Sequence, residues 1–199
     1  MIRAFIFDIG NVLLRFDFSV AIRRLAPLCG ELPDGFAHRV EAVKNEYEAG
    51  RISRQAFLKE AFALLEYRGS EAGFIAAWEE IFEENRPLTA MLPALGERYP
   101  LYLLSNTSDI HVDYMLRAYP FFRHFRDAVY SYRVGCSKPH PEIYAQATRQ
   151  FGITPQETVF IDDLPANIET ARRLGFHAIA YDFRRHEALE TALREVAVF

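Results

Sequence analysis

The stretch Ile2-Arg3-Ala4-Phe5-Ile6-Phe7-Asp8-Ile9-Gly10 decides the fold. It is an apolar run that carries one carboxylate near its end and then breaks at a glycine. The run is too short for a helix and rich in β-branched and aromatic residues, so it predicts a central strand of a parallel sheet. A charge in such surroundings is expensive without a partner. Asp8 falls at the C-terminal end of that strand, the edge at which open α/β sheets bind ligands.

Further along, from Pro87 onward, apolar runs at 101–104, 128–130, 158–161 and 178–181 alternate with helical stretches. Such alternation implies βαβ units, a doubly wound α/β sheet. One helix, around Ile143 to Phe151, should stop at Gly152, and Thr154-Pro155-Gln156-Glu157 offers a cap with glutamate three residues on. Another, from about Ala166 to Leu174, should stop at Gly175.

Between strand and alternating region the pattern changes. Residues 16–85 show amphipathic helices and no convincing strand, which predicts an insert, with 1–15 and 86–199 forming the core. Phe36, Val40, Val43 and Tyr47 recur at helical spacing up to Gly50. Ser53 can cap a second helix through Phe57, Leu58, Phe62 and Leu65, and a third runs from Ser70 through Phe74, Ile75, Trp78, Ile81 and Phe82.

Composition narrows the function classes. The chain has 199 residues, half of them hydrophobic, with 27 acidic against 23 basic residues and a net charge of -4. That is enough for one well-cored domain or a domain with an insert. No basic stripe is present for a nucleic-acid backbone. No segment reaches the roughly 20 apolar residues that span a bilayer, and no signal-peptide pattern opens the chain. Cys29 and Cys136 are too few for a disulfide framework and lack zinc spacing, so a reducing, cytoplasmic setting is expected. The six histidines are scattered without the spacing of a metal site.

Three apolar runs end in polar residues at the same relative place: Phe7-Asp8, Leu104-Ser105-Asn106 and Ile161-Asp162-Asp163. Lys138 lies between the second and third, just before Pro139. Taken singly, these residues read as turn caps, helix caps or a solvated lysine. Capping requires neither an apolar run before each residue nor the lysine. Parallel strands would bring the set together on one edge.

In this order the four groups resemble the four motifs of the haloacid dehalogenase superfamily, over nearly the whole chain. The resemblance implies a Rossmann-like core and an inserted four-helix cap at 16–85. It implies that Asp8 is a nucleophile, that Ser105 with Asn106 and nearby amides holds a phosphoryl group, and that Lys138 neutralises charge on Asp8 and substrate. It further implies Mg²⁺ held by Asp8, the Gly10 carbonyl, Asp162 and, through water, Asp163, as in the phosphatase branches; the true dehalogenases lack the acidic pair. The implied activity is phosphatase action on a small phosphorylated metabolite through an aspartyl-phosphate. A phosphate-binding protein without turnover is the alternative, and a haloacid dehalogenase a less favoured one. Oligomeric state is left open.

Gly10 departs from the pattern. Most phosphatases of the superfamily carry there, two residues after the nucleophile, an aspartate that serves as general acid and base. Proton transfer of this kind is worth about 10²–10⁴-fold in rate. Either the protein lacks its usual proton donor, or glycine meets a need for positive φ or close approach of the cap. The Asp-x-Gly-Asn-Val pattern with Tyr47-Glu48-Ala49-Gly50 is similar to a subgroup with bacterial glucose-1-phosphate phosphatases and phosphatase-domain relatives of epoxide hydrolases. An anomeric leaving group would depend less on the missing acid. Tyr47, Glu48 and Arg51 are candidates for selecting substrate, although a helix stop followed by a helix start explains the same turn.

Overall fold

The computed structural model describes residues 1–30 and 36–196, with side chains described for all of these except 36–39. The expected place of the Phe36 side chain in the helical stripe therefore lies outside the described residues. The first half of the chain forms β1 (Ala4–Phe7), β2 (Leu14–Phe16), α1 (Phe18–Leu25), α2 (Phe36–Glu48), α3 (Arg54–Leu65), α4 (Glu71–Glu79), β3 (Phe82–Glu84), α5 (Arg86–Thr89) and α6 (Leu92–Arg98). The second half continues with β4 (Leu101–Ser105), α7 (Asp109–Ala118), β5 (Phe125–Tyr130), α8 (Ser131–Val134), α9 (Pro141–Phe151), β6 (Thr158–Asp162), α10 (Pro165–Arg173), β7 (His177–Ala180) and α11 (His186–Glu195).

The main sheet has the order β5-β4-β1-β6-β7, and every neighbouring pair in it is parallel. Strand order runs outward from β1 in both directions, the arrangement that opens a crevice at the strands' C-terminal ends. Register sets the site: Phe7 pairs with Leu103 on one side and with Ile161 on the other. One residue further along β1 and β6, and two along β4, Asp8, Asp162 and Ser105 emerge together at one edge.

Side chains alternate across each strand, so β1 supplies two cores. Phe5 and Phe7 pack with Leu92, Met115, Ile161 and Leu193 on one face, whereas Ala4 and Ile6 pack with Ile143, Tyr144, Ile168 and Ala171 on the other. All four residues of β1 are buried, which is why the run reads as continuously apolar rather than alternating.

The inserted helices share a core of their own, built from Tyr47, Phe57, Leu65, Phe74 and Trp78 and joined by Ile110 of α7. Phe57 and Phe74 are completely buried, each worth about 1.5–3 kcal/mol of burial. The capping expectation holds at Ser53, whose Oγ accepts from Ala56 N–H at 3.2 Å, and Ser70 caps the next helix in the same way, its Oγ accepting from Gly73 N–H at 3.1 Å. Gly50, Gly152 and Gly175 all adopt positive φ, at 69°, 63° and 94°, as the helix-stop reading requires.

Two expectations fail. The insert is framed by a two-stranded antiparallel ribbon, β2 with β3, in which Leu14 pairs with Glu84 and Phe16 with Phe82. Phe82 is thus in a strand, and α4 ends at Glu79. Each ribbon strand has three residues, too few to show a period of two, and its partner is about 70 residues away. Thr154 also fails as a helix cap, because residues Pro155–Glu157 form one 3₁₀ turn that leads directly into β6. There the Thr154 carbonyl, rather than its hydroxyl, accepts from Glu157 N–H and from the Thr158 hydroxyl.

Candidate active site

Asp8 follows β1 as a buried carboxylate, and its Oδ1 accepts from Ile9 N–H at 2.7 Å. The same oxygen lies 2.9 Å from Lys138 Nζ. Neither contact involves Oδ2. Lys138 in turn places Nζ 2.6 Å from Asp162 Oδ2. Asp162 Oδ1 accepts from Leu164 N–H at 2.9 Å and from Asn167 Nδ2 at 2.8 Å, so both oxygens of that carboxylate are engaged by protein. Asp163, half-buried beside it, accepts from Asn11 Nδ2 at 3.1 Å through Oδ2.

The expected residues therefore converge. Asn106 lines the same cavity, but both ends of its amide are bonded to the Lys138 backbone: Nδ2 donates to the Lys138 carbonyl at 2.9 Å, and Oδ1 accepts from Lys138 N–H at 2.8 Å. Asn106 places the lysine. Ser105, buried at the end of β4, lines the cavity with a hydroxyl that takes no protein partner among the described residues.

Gly10 is not in a left-handed conformation; that geometry belongs to Asn11, at φ 54°. The positive-φ explanation of the glycine is thereby overturned. The close-approach explanation survives, because a Cβ at Gly10 would lie 3.0 Å from Cε1 of Phe16.

Electrostatics reflect the crowding. Burial and the neighbouring Asp162 push the Asp8 carboxyl up to about 7 against the opposing pull of Lys138. Although burial disfavours its charge, Lys138 is held above the ordinary lysine range by Asp162 and Asp8. Burial also raises Asp163, more than its bond to Asn11 lowers it. One oxygen from each of Asp8, Asp162 and Asp163 lies within 4.8 Å of the other two. Three carboxylates around one ammonium leave an excess of negative charge on hard oxygen donors, which suits a small divalent cation.

A cavity of about 240 Å³ rises from this floor to the inserted helices. Phe16, Phe18, Lys44, Glu48, Phe82 and His111 line its upper part. Lys44 and Glu48, one turn apart on α2, pair at 2.8 Å, and Lys44 Nζ lies 5.2 Å from the centre of the Phe18 ring. Burial raises the Glu48 carboxyl above its usual range despite that lysine. His111 is buried beside Trp78, with Nε2 3.2 Å from the Trp78 carbonyl, and burial pushes it down to about 4.

Of the three residues expected to select substrate, only Glu48 faces this cavity. Tyr47 stacks on Phe57 at 4.5 Å and donates its hydroxyl to Asp109, and Arg51 pairs with Glu46 at 2.7 Å on the outer side. Lys44 and His111 escaped the sequence reading because a lysine one turn before a glutamate is the ordinary pattern of a solvated helix. His111 carries no motif at all.

Helix α2 is fixed to the core beside Glu48. The Ser131 hydroxyl donates to the Glu48 carbonyl and accepts from Thr107 N–H at 3.0 Å, while Arg54 reaches Asp109 at 2.9 Å and Asp113 at 2.7 Å.

Relatives share this arrangement of fold and length. A D-ribitol-5-phosphate phosphatase of Bacteroides thetaiotaomicron is 30% identical over 190 residues, covering 88% of this chain and 90% of its own. A crystal structure of a haloacid dehalogenase-family enzyme from the same organism, in complex with magnesium and inorganic phosphate, superposes with a TM-score of 0.83 at 27% identity, over 90% of this chain and 94% of that one. A hydrolase of similar type from Porphyromonas gingivalis gives 0.78 at 29% identity over 98% of both chains. The family model for haloacid dehalogenase-like hydrolases matches residues 2–175. With the motif residues meeting at one strand edge and that match covering most of the sequence, the chain belongs to the haloacid dehalogenase-like hydrolase family.

Proposed function

We propose that this hydrolase is a magnesium-dependent phosphatase of small sugar or polyol phosphates. One observation carries the reading: three carboxylates within 4.8 Å of one another, with one buried lysine bridging two of them. The D-ribitol-5-phosphate phosphatase relative supports the substrate class. The inserted helices serve as the cap that covers the substrate and excludes water.

Asp8, Asp163, Asp162 and the Gly10 carbonyl would hold Mg²⁺, which when bound offsets the repulsion between the Asp8 carboxylate and an anionic phosphate. The remaining work falls to the chain's own groups. Asp8 attacks phosphorus through a carboxylate oxygen and forms an aspartyl-phosphate that water then hydrolyses. Lys138 compensates charge on Asp8 and on the transferring group, and the Ser105 hydroxyl donates to a phosphoryl oxygen. Asn106 keeps the lysine in place.

Phosphate release from a panel of sugar and polyol phosphates, with magnesium and after chelation, tests the proposal. Turnover that needs magnesium and stops in Asp8→Asn is expected. Halide release from 2-haloacids without phosphate release would replace the proposal with dehalogenation, and phosphate binding without turnover would replace it with a sensor.

A further inference from the structure

The aspartate that usually handles protons is Gly10 here, so some other group must protonate the departing oxygen. We propose that Glu48, reaching in from the cap helix α2, is that general acid and base. The inference rests on the phosphatase reading.

Geometry selects the residue. In phosphoryl transfer the attacking and leaving oxygens stand roughly in line across phosphorus. With Asp8 attacking from the floor, the leaving oxygen points to the roof of the cavity, the part lined by α2. Four titratable groups besides Asp8 and Lys138 line that space: Lys44, Glu48, His111 and Asp163. Asp163 belongs to the floor. His111 is neutral, with Nε2 within hydrogen-bond distance of the Trp78 carbonyl, and so has no proton to give at neutral pH. Lys44 is the partner of Glu48.

Glu48 also has a way to exchange its proton. It lines a second, outer cavity of about 560 Å³, together with Arg51, Lys138, His140 and Glu142, and its side chain is 14% exposed. These groups and Lys44 are the charges that face it. Desolvation favours the protonated form needed at the start, and Lys44 stabilises the carboxylate formed afterwards. The backbone bond from Ser131 holds this turn of α2 against the loop after β4.

The proton balance closes. In the first half, the phosphorus–oxygen bond to the alcohol breaks as the bond to Asp8 forms, and the Glu48 carboxyl gives its proton to the leaving oxygen. In the second, the Glu48 carboxylate takes a proton from water as that water attacks phosphorus. Phosphate leaves with the other proton, and Asp8 and Glu48 return to their starting forms.

The test is Glu48→Gln, which keeps size, the partner position and the backbone bond to Ser131, measured with saturating magnesium on a primary-alcohol phosphate and on 4-nitrophenyl phosphate. The variant should lose about 10²–10⁴-fold in kcat on the alcohol ester. On the aryl ester, whose leaving group needs no proton, aspartyl-phosphate formation in a single turnover should fall less than about tenfold, and hydrolysis of the intermediate should become limiting. The limb of the kcat/KM profile set by Glu48 should vanish. Equal losses on both esters with an unchanged pH profile, or no loss, would overturn the assignment. Lys44→Met, which removes the ammonium that stabilises the Glu48 carboxylate, should move the Glu48 limb of the pH profile upward and leave it present; a limb lost there but kept in Glu48→Gln would assign the acid to Lys44 instead. No phosphate release by the wild type from either ester would fail the phosphatase reading itself.

Discussion

The Lys138 ammonium lies 2.6 Å from the Asp162 carboxylate, with the two side chains 1% and 0% exposed, and the same ammonium reaches Asp8 at 2.9 Å. Such a group cannot be removed cheaply, because two buried carboxylates lose their compensation at once. Breaking a buried pair on one side costs about 3–5 kcal/mol. Lys138→Met should therefore lower stability by about that amount in urea unfolding, as well as abolishing turnover. Lys138→Met/Asp162→Asn should recover part of it, since one uncompensated charge is gone. A single variant as stable as the wild type would mean that the carboxylates are neutral without the lysine.

Asp8→Asn separates chemistry from folding. The amide keeps the carboxylate's shape and removes a charge that burial and Asp162 disfavour. Phosphate release should fall to background while the melting temperature holds or rises. A melting temperature several degrees lower would show that the Asp8–Lys138 pair is net stabilising, contrary to the burial argument.

The acidic pair divides its labour. Asp162 accepts from Lys138, Leu164 and Asn167, so its first task is to hold those elements together, whereas half-buried Asp163 has the more accessible carboxylate. Asp163→Asn should raise the magnesium concentration needed for half-maximal activity by at least tenfold with little loss of stability. Asp162→Asn should be the less stable of the two. Titrating activity and melting temperature against magnesium checks both. This expectation differs from the one drawn from sequence, in which Asp162 is the direct ligand and Asp163 acts through water.

What could be read in advance follows the range of the interactions. The five parallel strands were legible because each contains a locally continuous apolar run, in β5 only Ala128–Tyr130 after Arg126 and Asp127, and the site was legible because parallel pairing forces strand ends together: Phe7 opposite Leu103 and Ile161 leaves little freedom for Asp8, Ser105 and Asp162. The β2–β3 ribbon was hidden, since Phe16 and Phe82 declare themselves as strand only through each other. The roof of the cavity was mostly hidden for a related reason. Which face of α2 turns inward depends on the Ser131 and Tyr47 contacts to the core, and so Lys44 remained indistinguishable from a surface lysine.

His111 makes an acid limb in stability. Its folded pKa is about 4, from burial, against about 6.5 unfolded. Between these values the unfolded chain binds the proton and the folded one does not, so stability falls as pH drops from 6.5 toward 4. The full loss is about 3 kcal/mol. His111→Gln removes the titration and retains a donor for the Trp78 carbonyl, so its unfolding free energy should be flatter across that window. An unchanged slope would assign the acid sensitivity to other groups.

Gly10→Asp asks whether the missing carboxylate can be put back. Gly10 needs no positive φ, and the Cβ of an aspartate would press on the Phe16 ring at 3.0 Å. That ring is 39% exposed, so it has solvent to move into. The overpacking should cost less than the roughly 1–3 kcal/mol seen in closed cores. If Glu48 is the proton donor, Gly10→Asp alone should change kcat on alcohol phosphates little, because an acid is already in place. In the Glu48→Gln background it should recover at least tenfold of the lost turnover, and Phe16→Ala should improve that recovery by clearing the ring. A folded double variant with no recovery, by circular dichroism and single-turnover assay, would show that a carboxylate at position 10 does not reach the leaving oxygen here, and that the protein's proton chemistry is built on the cap alone.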